Sequence, residues 1–114
     1  MIHSKRGIGM NYDEALENAF KWSKGKPSSA SKQAANAYIQ AIPLAYAEAQ
    51  GMNVPIQDAL WVQTLYILNN LRGWRGEEAR LSKSILSNKV LLEEWTANIP
   101  ERLIGIRKMT EDGN

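Results

Sequence analysis

The chain of 114 residues contains no cysteine and only one histidine. The absence of cysteine excludes a disulfide scaffold, a thiolate metal site and a cysteine nucleophile. The single histidine, His3, lies in a glycine-containing segment without hydrophobic periodicity, where a catalytic or metal-binding side chain would be poorly held. We therefore expect no catalytic residue, no metal site and no cofactor.

Long apolar runs and alternating patterns are also missing. No stretch approaches the ~20 apolar residues of a membrane-spanning helix. Lys5 and Arg6 are not followed by the apolar segment that a signal peptide requires. No stretch alternates apolar and polar residues as a half-buried β-strand does. These absences favour a soluble, cytoplasmic, all-α protein without a membrane partner.

The excess of positive over negative charge is small, since the chain has 14 basic and 12 acidic residues. A net charge of +2 does not by itself indicate nucleic-acid binding, whereas the distribution of the charges does bear on it. Eight basic residues form two groups, each around a predicted loop, and Arg102, Arg107 and Lys108 lie near the end of the chain. The first group is Lys21, Lys24, Lys26 and Lys32, and the second is Arg72, Arg75, Arg80 and Lys83. Convergence of the two groups would create a basic face.

Helix signals predict a compact all-α bundle of four to six helices in a single domain over residues 11–109. Asn11 and either Ser28 or Ser29 are predicted N-caps, because their side chains accept hydrogen bonds from the first helical amides. Pro43 and Pro100 interrupt apolar patterns and predict a kink or a break at each position. Residues 1–10 are expected to form a flexible arm and residues 110–114 a disordered tail.

The interval from Gln33 to Leu71 contains only two charged residues, Glu48 and Asp58. We therefore predict that it is the buried centre of the fold. Its second half is apolar nearly all round the helix. A helix of that kind is either central or half covered by a partner.

The segment LYILNNLRGWRGEEARLSKSIL, which ends at Leu86, resembles small helical proteins of phages and other mobile elements. In those proteins an apolar helix leads into a Trp-Arg-Gly turn and then a charged helix. The resemblance covers the central half of the chain, from Ala35 to Leu86. It implies a helical fold and a viral or mobile-element origin, and it carries over no catalytic residue.

The turn RGWRG is the strongest candidate site, because its guanidiniums flank an indole and the following helix start attracts anions. The candidate residues for anion or partner binding are Arg72, Trp74, Arg75, Arg80 and Lys83, with Lys21, Lys24, Lys26 and Lys32 as a secondary basic patch. The competing interpretation is structural and is favoured. In it, Trp74 fills the core, while Arg72 and Arg75 pair with Glu77, Glu78 or the last carbonyl groups of the preceding helix.

The preferred functional hypothesis is a non-catalytic helical interaction module, an accessory protein of a phage or mobile element that binds a host or viral macromolecule. A protein partner or self-association as a dimer is favoured, because the chain has more aromatic residues than one small core needs. Those aromatic residues are Tyr38, Tyr46, Trp61 and Trp74.

The alternative is a nucleic-acid-binding regulator that resembles a helix-turn-helix protein. Residues 60–71 would form its first helix and residues 77–86 its recognition helix, with Arg80 and Lys83 facing DNA. Glu77 and Glu78 oppose this interpretation, since they lie at the end of the helix that usually meets the bases, where phosphates would repel them.

Overall fold

A computed structural model of the protein describes residues 9–112. The first eight residues of the predicted arm, including His3, therefore lie outside the described residues. The described part contains seven helices and no strand. The helices are α1 (Tyr12–Lys24), α2 (Ala30–Gln40), α3 (Ile42–Met52), α4 (Ile56–Asn69), α5 (Glu77–Leu86), α6 (Lys89–Thr96) and α7 (Ile99–Asp112).

The prediction of an all-α fold is confirmed, but the prediction of four to six helices is wrong. A new helix begins next to each proline, so the expected kinks or breaks are helix boundaries. Pro43 lies in the first turn of α3, directly after the Ala41 turn that ends α2. Pro100 lies in the first turn of α7. Since proline lacks an amide hydrogen, it fits the first turn of a helix and ends a preceding one.

The predicted N-caps are present at the first two helices. The Asn11 side chain accepts from the Glu14 amide at 2.8 Å, and the Glu14 carboxylate accepts from the Asn11 amide at 3.0 Å. This reciprocal pair satisfies two amides at the start of α1. Ser29 caps α2 by accepting from the Lys32 amide at 3.1 Å. At the other end of the chain, α7 reaches Asp112, so residues 110–112 are helical where a disordered tail was predicted.

The core lies where α1 packs against α2 and α5, while α4 packs against α2, α3 and α6. α7 closes the bundle by contacts with α1, α3 and α6. The fully buried large apolar side chains come from α1, α2, α4, α5, α6 and the turn after α4. They are Phe20, Ile39, Leu60, Ile67, Leu71, Leu86 and Leu92.

The prediction that the whole interval from Gln33 to Leu71 is buried is wrong for one side of α4. Leu60 and Ile67 face the core with 2% and 0% exposure. Val62, Leu65 and Tyr66 lie on the opposite side and are exposed to solvent. The helix is therefore half covered, because only one of its sides meets the rest of the bundle. No helix in residues 9–112 is both long enough and apolar enough to cross a membrane.

Candidate interaction surfaces

The indole of Trp74 is packed in the core and only 6% exposed. It stacks on Trp22 of α1, with ring centroids 5.9 Å apart and ring planes 23° apart. Stacked indoles of this kind add to the free energy gained by burying their area. The stack fixes the turn between α4 and α5 to the end of α1, so the central residue of RGWRG serves packing.

Two further predicted site residues hold the same turn together. The Lys83 ammonium donates to the carbonyl oxygens of Leu71 and Trp74, at 3.0 and 2.6 Å. The Arg80 guanidinium donates to both carboxylate oxygens of Glu77, at 3.2 and 2.7 Å. The hydrogen bonds and positive charge of Arg80 lower the pKa of Glu77 below its usual value. Neither cation is therefore free to meet a partner without giving up internal bonds.

The two remaining arginines of the turn are exposed. Arg72 donates to the side-chain oxygen of Asn69 at 3.0 Å, and not to the glutamates that were considered as its partners. Arg75 makes no hydrogen bond or ion pair with the residues that the structure describes. Gly76, which follows it, has a φ of 109°, a backbone conformation that favours glycine over any other residue. Among the described residues, Arg75 thus has no polar partner, and Arg72 has only a neutral one.

The first basic group meets the turn through Lys32. The Lys32 ammonium lies 5.2 Å from the centroid of the Trp22 ring. It also donates to the Pro27 carbonyl oxygen at 2.9 Å. Because Trp22 stacks on Trp74, Lys32 and the RGWRG turn flank one pair of indoles.

The other lysines of this group interact within or near α1. Lys24 lies over the Phe20 ring at 5.0 Å, and Lys21 pairs with Glu17 at 3.7 Å. Lys26 is exposed in the loop after α1. The basic groups therefore converge only in part, at Lys32 and the turn.

The outer face of α4, formed by Val62, Leu65 and Tyr66, is an apolar surface on the described part of the molecule. The three side chains are 46%, 44% and 50% exposed. Spacings of three and four residues place them on one side of the helix. Tyr66 stacks on Tyr38 of α2, with centroids 5.3 Å apart, so its ring is held at the edge of this face. A shallow groove continues from Leu65 and Tyr66 along the end of the helix to Arg72.

One flank of α4 is already shielded. The half-buried Trp61 lies beneath the Lys89 ammonium of α6, which is 5.7 Å from the ring centroid. The inner side of the helix is joined to α1 by a hydrogen bond of 3.0 Å between the hydroxyls of Tyr12 and Thr64. Burial raises the pKa of Tyr12 to about 12, although the hydrogen bond to Thr64 acts in the opposite direction. On the outer face, Val62 and Leu65 are nearly half exposed, and Tyr66 stacks on Tyr38.

A cleft of about 380 Å³ separates α1 from α7. Both carboxylate oxygens of Asp13 at its rim are engaged. One accepts from the Trp95 indole nitrogen at 2.7 Å and the other from the Arg102 guanidinium at 3.1 Å. The Asp13 carboxylate therefore links α1 to α6 and α7. Across residues 9–112, His, Asp and Glu side chains form no cluster of three or more that could hold a metal ion.

Comparisons of the chain with family models, curated proteins and solved structures give no significant match.

Sequence reasoning identified the turn as the candidate site and assigned the outer face of α4 to the core. One signal for the exposed face was present in the sequence. The helix is apolar nearly all round, and a bundle that contacts only one side of a helix leaves the apolar residues of the other side exposed. The sequence did not show which of Val62, Leu65 and Leu60 would be left outside.

Proposed function

We propose that the protein is a non-catalytic helical interaction module that binds a protein partner through the outer face of α4. The observation that carries the proposal is the exposure of three neighbouring apolar side chains, Val62, Leu65 and Tyr66, in the middle of a well-packed helix. Contiguous exposed apolar surface marks interaction sites in soluble proteins. Since full burial of such a side chain contributes ~1.5–3 kcal/mol and about half of each is exposed, covering one contributes roughly 1 kcal/mol.

The composition of this face fits a protein interface. An aromatic side chain held in place by a stack loses little conformational freedom on binding, and tyrosine is enriched at interfaces. Tyr66 on Tyr38 is such a side chain. The resemblance to phage and mobile-element proteins extends the proposal to an accessory protein whose partner is a host or viral macromolecule in the cytoplasm.

Nucleic-acid binding is the second candidate function. The exposed Arg75, which follows Trp74 in the chain, favours it, because exposed cations contact phosphates. The half-buried Lys32 lies over Trp22 but donates to the Pro27 carbonyl oxygen. A helix-turn-helix arrangement is less well supported. Lys83 and Arg80 of the candidate recognition helix are engaged within the chain. Residues 70–76 separate the two helices, which exceeds the roughly three- to four-residue turn of that motif.

A photo-crosslinking amino acid placed at Leu65 tests the proposed function in cells. We expect one discrete protein adduct from position 65, and none from the same amino acid at the exposed Ser84 of α5, which serves as the matched control. Adducts from position 75 to nucleic acid, with none from position 65, would replace the proposal by the second candidate. The mass of the adduct distinguishes another protein from a second copy of the chain.

A further inference from the structure

Polar residues at the two ends of the α4 face have opposite charges. Asp58, Val62, Leu65, Asn69 and Arg72 follow one another at spacings of four, three, four and three residues. For the four residues within α4, this alternation keeps the side chains along one side of the helix, as in the seam of paired helices. Arg72 follows the end of α4 at Asn69. The groove that contains Leu65, Asn69 and Arg72 places the arginine on the same side of the molecule as the apolar residues.

The charges at the ends are symmetric about Leu65. Asp58 lies seven residues before it and Arg72 seven residues after it. Asp58 is exposed and forms no ion pair with any residue in the described range. Arg72 is exposed, and among residues 9–112 it donates only to the neutral Asn69 side chain. Both charges are therefore available to a group of opposite sign outside the chain.

We infer that the partner covering this face is a second copy of the chain, with the two α4 helices antiparallel. This inference rests on the proposed function of the outer face. A two-fold axis at Leu65 would bring Asp58 of each copy to the far end of the other copy's α4, where Arg72 borders the groove, in an isologous interface. A parallel arrangement would set aspartate against aspartate and arginine against arginine, which is unfavourable. The charge pattern thus selects both the occupant and the direction of pairing.

The centre of the pairing is apolar. Leu65 meets its own copy at the axis, and Val62 meets the end of the other helix near Leu68. Tyr66 lies at the edge, where the stack on Tyr38 holds its ring. Leu68 is half-buried and Val62 is exposed, so the pairing removes apolar area from water at both ends of the seam.

Sedimentation velocity of the full chain across a wide concentration range measures the self-association. We expect a monomer–dimer equilibrium for the natural chain. Leu65→Glu would set two carboxylates against each other at the axis, so we expect the dissociation constant to rise about tenfold or more. Ser84→Glu adds the same charge on the exposed side of α5 and should leave the equilibrium unchanged. Circular dichroism of each variant verifies that the helices are intact.

A charge exchange tests the antiparallel direction. Asp58→Arg alone and Arg72→Asp alone should each weaken the dimer several-fold, because each sets like charges opposite each other at both ends. The double variant Asp58→Arg with Arg72→Asp restores opposite charges and should recover most of the affinity. Failure of the double variant to recover would overturn the antiparallel pairing.

A chain that stays monomeric at every concentration would overturn the inference of self-association. The proposed function would then depend on the crosslinking at position 65. An adduct with a different protein would support it, and the absence of any adduct would contradict it. A dimer that Leu65→Glu leaves unchanged would show that the copies meet elsewhere, and would also overturn the inference.

Discussion

The RGWRG turn and the outer face of α4 are consecutive in the chain, yet their side chains have different surroundings. In the turn, Trp74 is stacked in the core, and the carbonyl oxygens of Leu71 and Trp74 accept from Lys83. On the outer face, Val62 and Leu65 are apolar and nearly half exposed. The charged turn is therefore largely satisfied within the chain, whereas the apolar face is not.

This difference shows why charge alone is a poor guide to a binding site in this protein. A cation that donates to carbonyl oxygens of its own chain must give up those bonds before it meets a partner. An exposed apolar side chain gives up only its contact with water, which is unfavourable already. Four predictions below test the two regions in turn, from the largest expected effect to the smallest.

Replacing Trp74 by alanine should have the largest effect on the turn. The cavity beneath Trp22 would lower the free energy of unfolding by about 3–5 kcal/mol. Leu65→Ala on the outer face should lower it by less than about 1 kcal/mol, because that side chain is nearly half exposed. Urea denaturation at low protein concentration measures both, and equal losses would contradict the assignment of the two side chains.

The free energy of unfolding should depend on pH through Tyr12, which contacts Thr64 on the inner side of α4. The phenol of Tyr12 is neutral in both states below about pH 10, its ordinary pKa, and only the unfolded chain ionises it between about pH 10 and 12. The stability present below pH 10 should therefore fall by about 3 kcal/mol as the pH rises to about 12, since each pKa unit corresponds to about 1.4 kcal/mol.

Urea denaturation of the natural chain and of Tyr12→Phe at several pH values isolates this contribution. The variant should show a shallower loss of stability over the alkaline range, because it lacks the group that ionises. Contributions from the groups that the two proteins share cancel in the comparison. Parallel curves for the two proteins would contradict the burial of Tyr12 against Thr64.

Lys83→Met tests the hydrogen bonds that close the turn. Methionine keeps most of the aliphatic length of lysine but cannot donate, so the carbonyl oxygens of Leu71 and Trp74 lose a charged donor. We expect the free energy of unfolding to fall by about 1–3 kcal/mol. Arg80→Met removes an exposed pair with Glu77 and should leave the denaturation midpoint nearly unchanged. A larger effect at Arg80 would reverse the roles assigned to the two cations.

Arg75→Ala should have the smallest effect on folding, since Arg75 has no hydrogen-bond or ion-pair partner in residues 9–112. We expect an unchanged denaturation midpoint and an unchanged monomer–dimer equilibrium. A gel-shift assay at low salt adds a second measurement. If the natural chain shifts DNA or RNA and the variant does not, the binding site lies at the turn and not on the outer face of α4.

The sequence was sufficient to predict the helix starts and the breaks, because these depend on local chemistry. Asn11, Ser29 and Pro43 act through atoms a few residues away, and each has the predicted role. Helix ends are less sharply marked: the left-handed residue that follows α3 is Asn53, with a φ of 59°, although a glycine, Gly51, lies two residues before it within the helix. Asparagine tolerates this conformation, so a glycine in the neighbourhood is not decisive.

The candidate site was less predictable, because it depends on contacts between distant segments. The position of Trp74 depends on Trp22, and that of Lys83 on a turn whose carbonyl oxygens only the folded chain brings together. Periodicity alone does not reveal which side of an all-apolar helix meets the bundle. For that reason Leu65 was expected in the core.

Amide chemical shifts followed by nuclear magnetic resonance as the protein is concentrated test the interaction surface most directly. The inferred pairing of two copies through the outer face predicts progressive shifts confined to residues 58–72 and to Tyr38, with none around Lys32 and Arg75. Shifts around Lys32 and Arg75 that leave Val62, Leu65 and Tyr66 unchanged would contradict it.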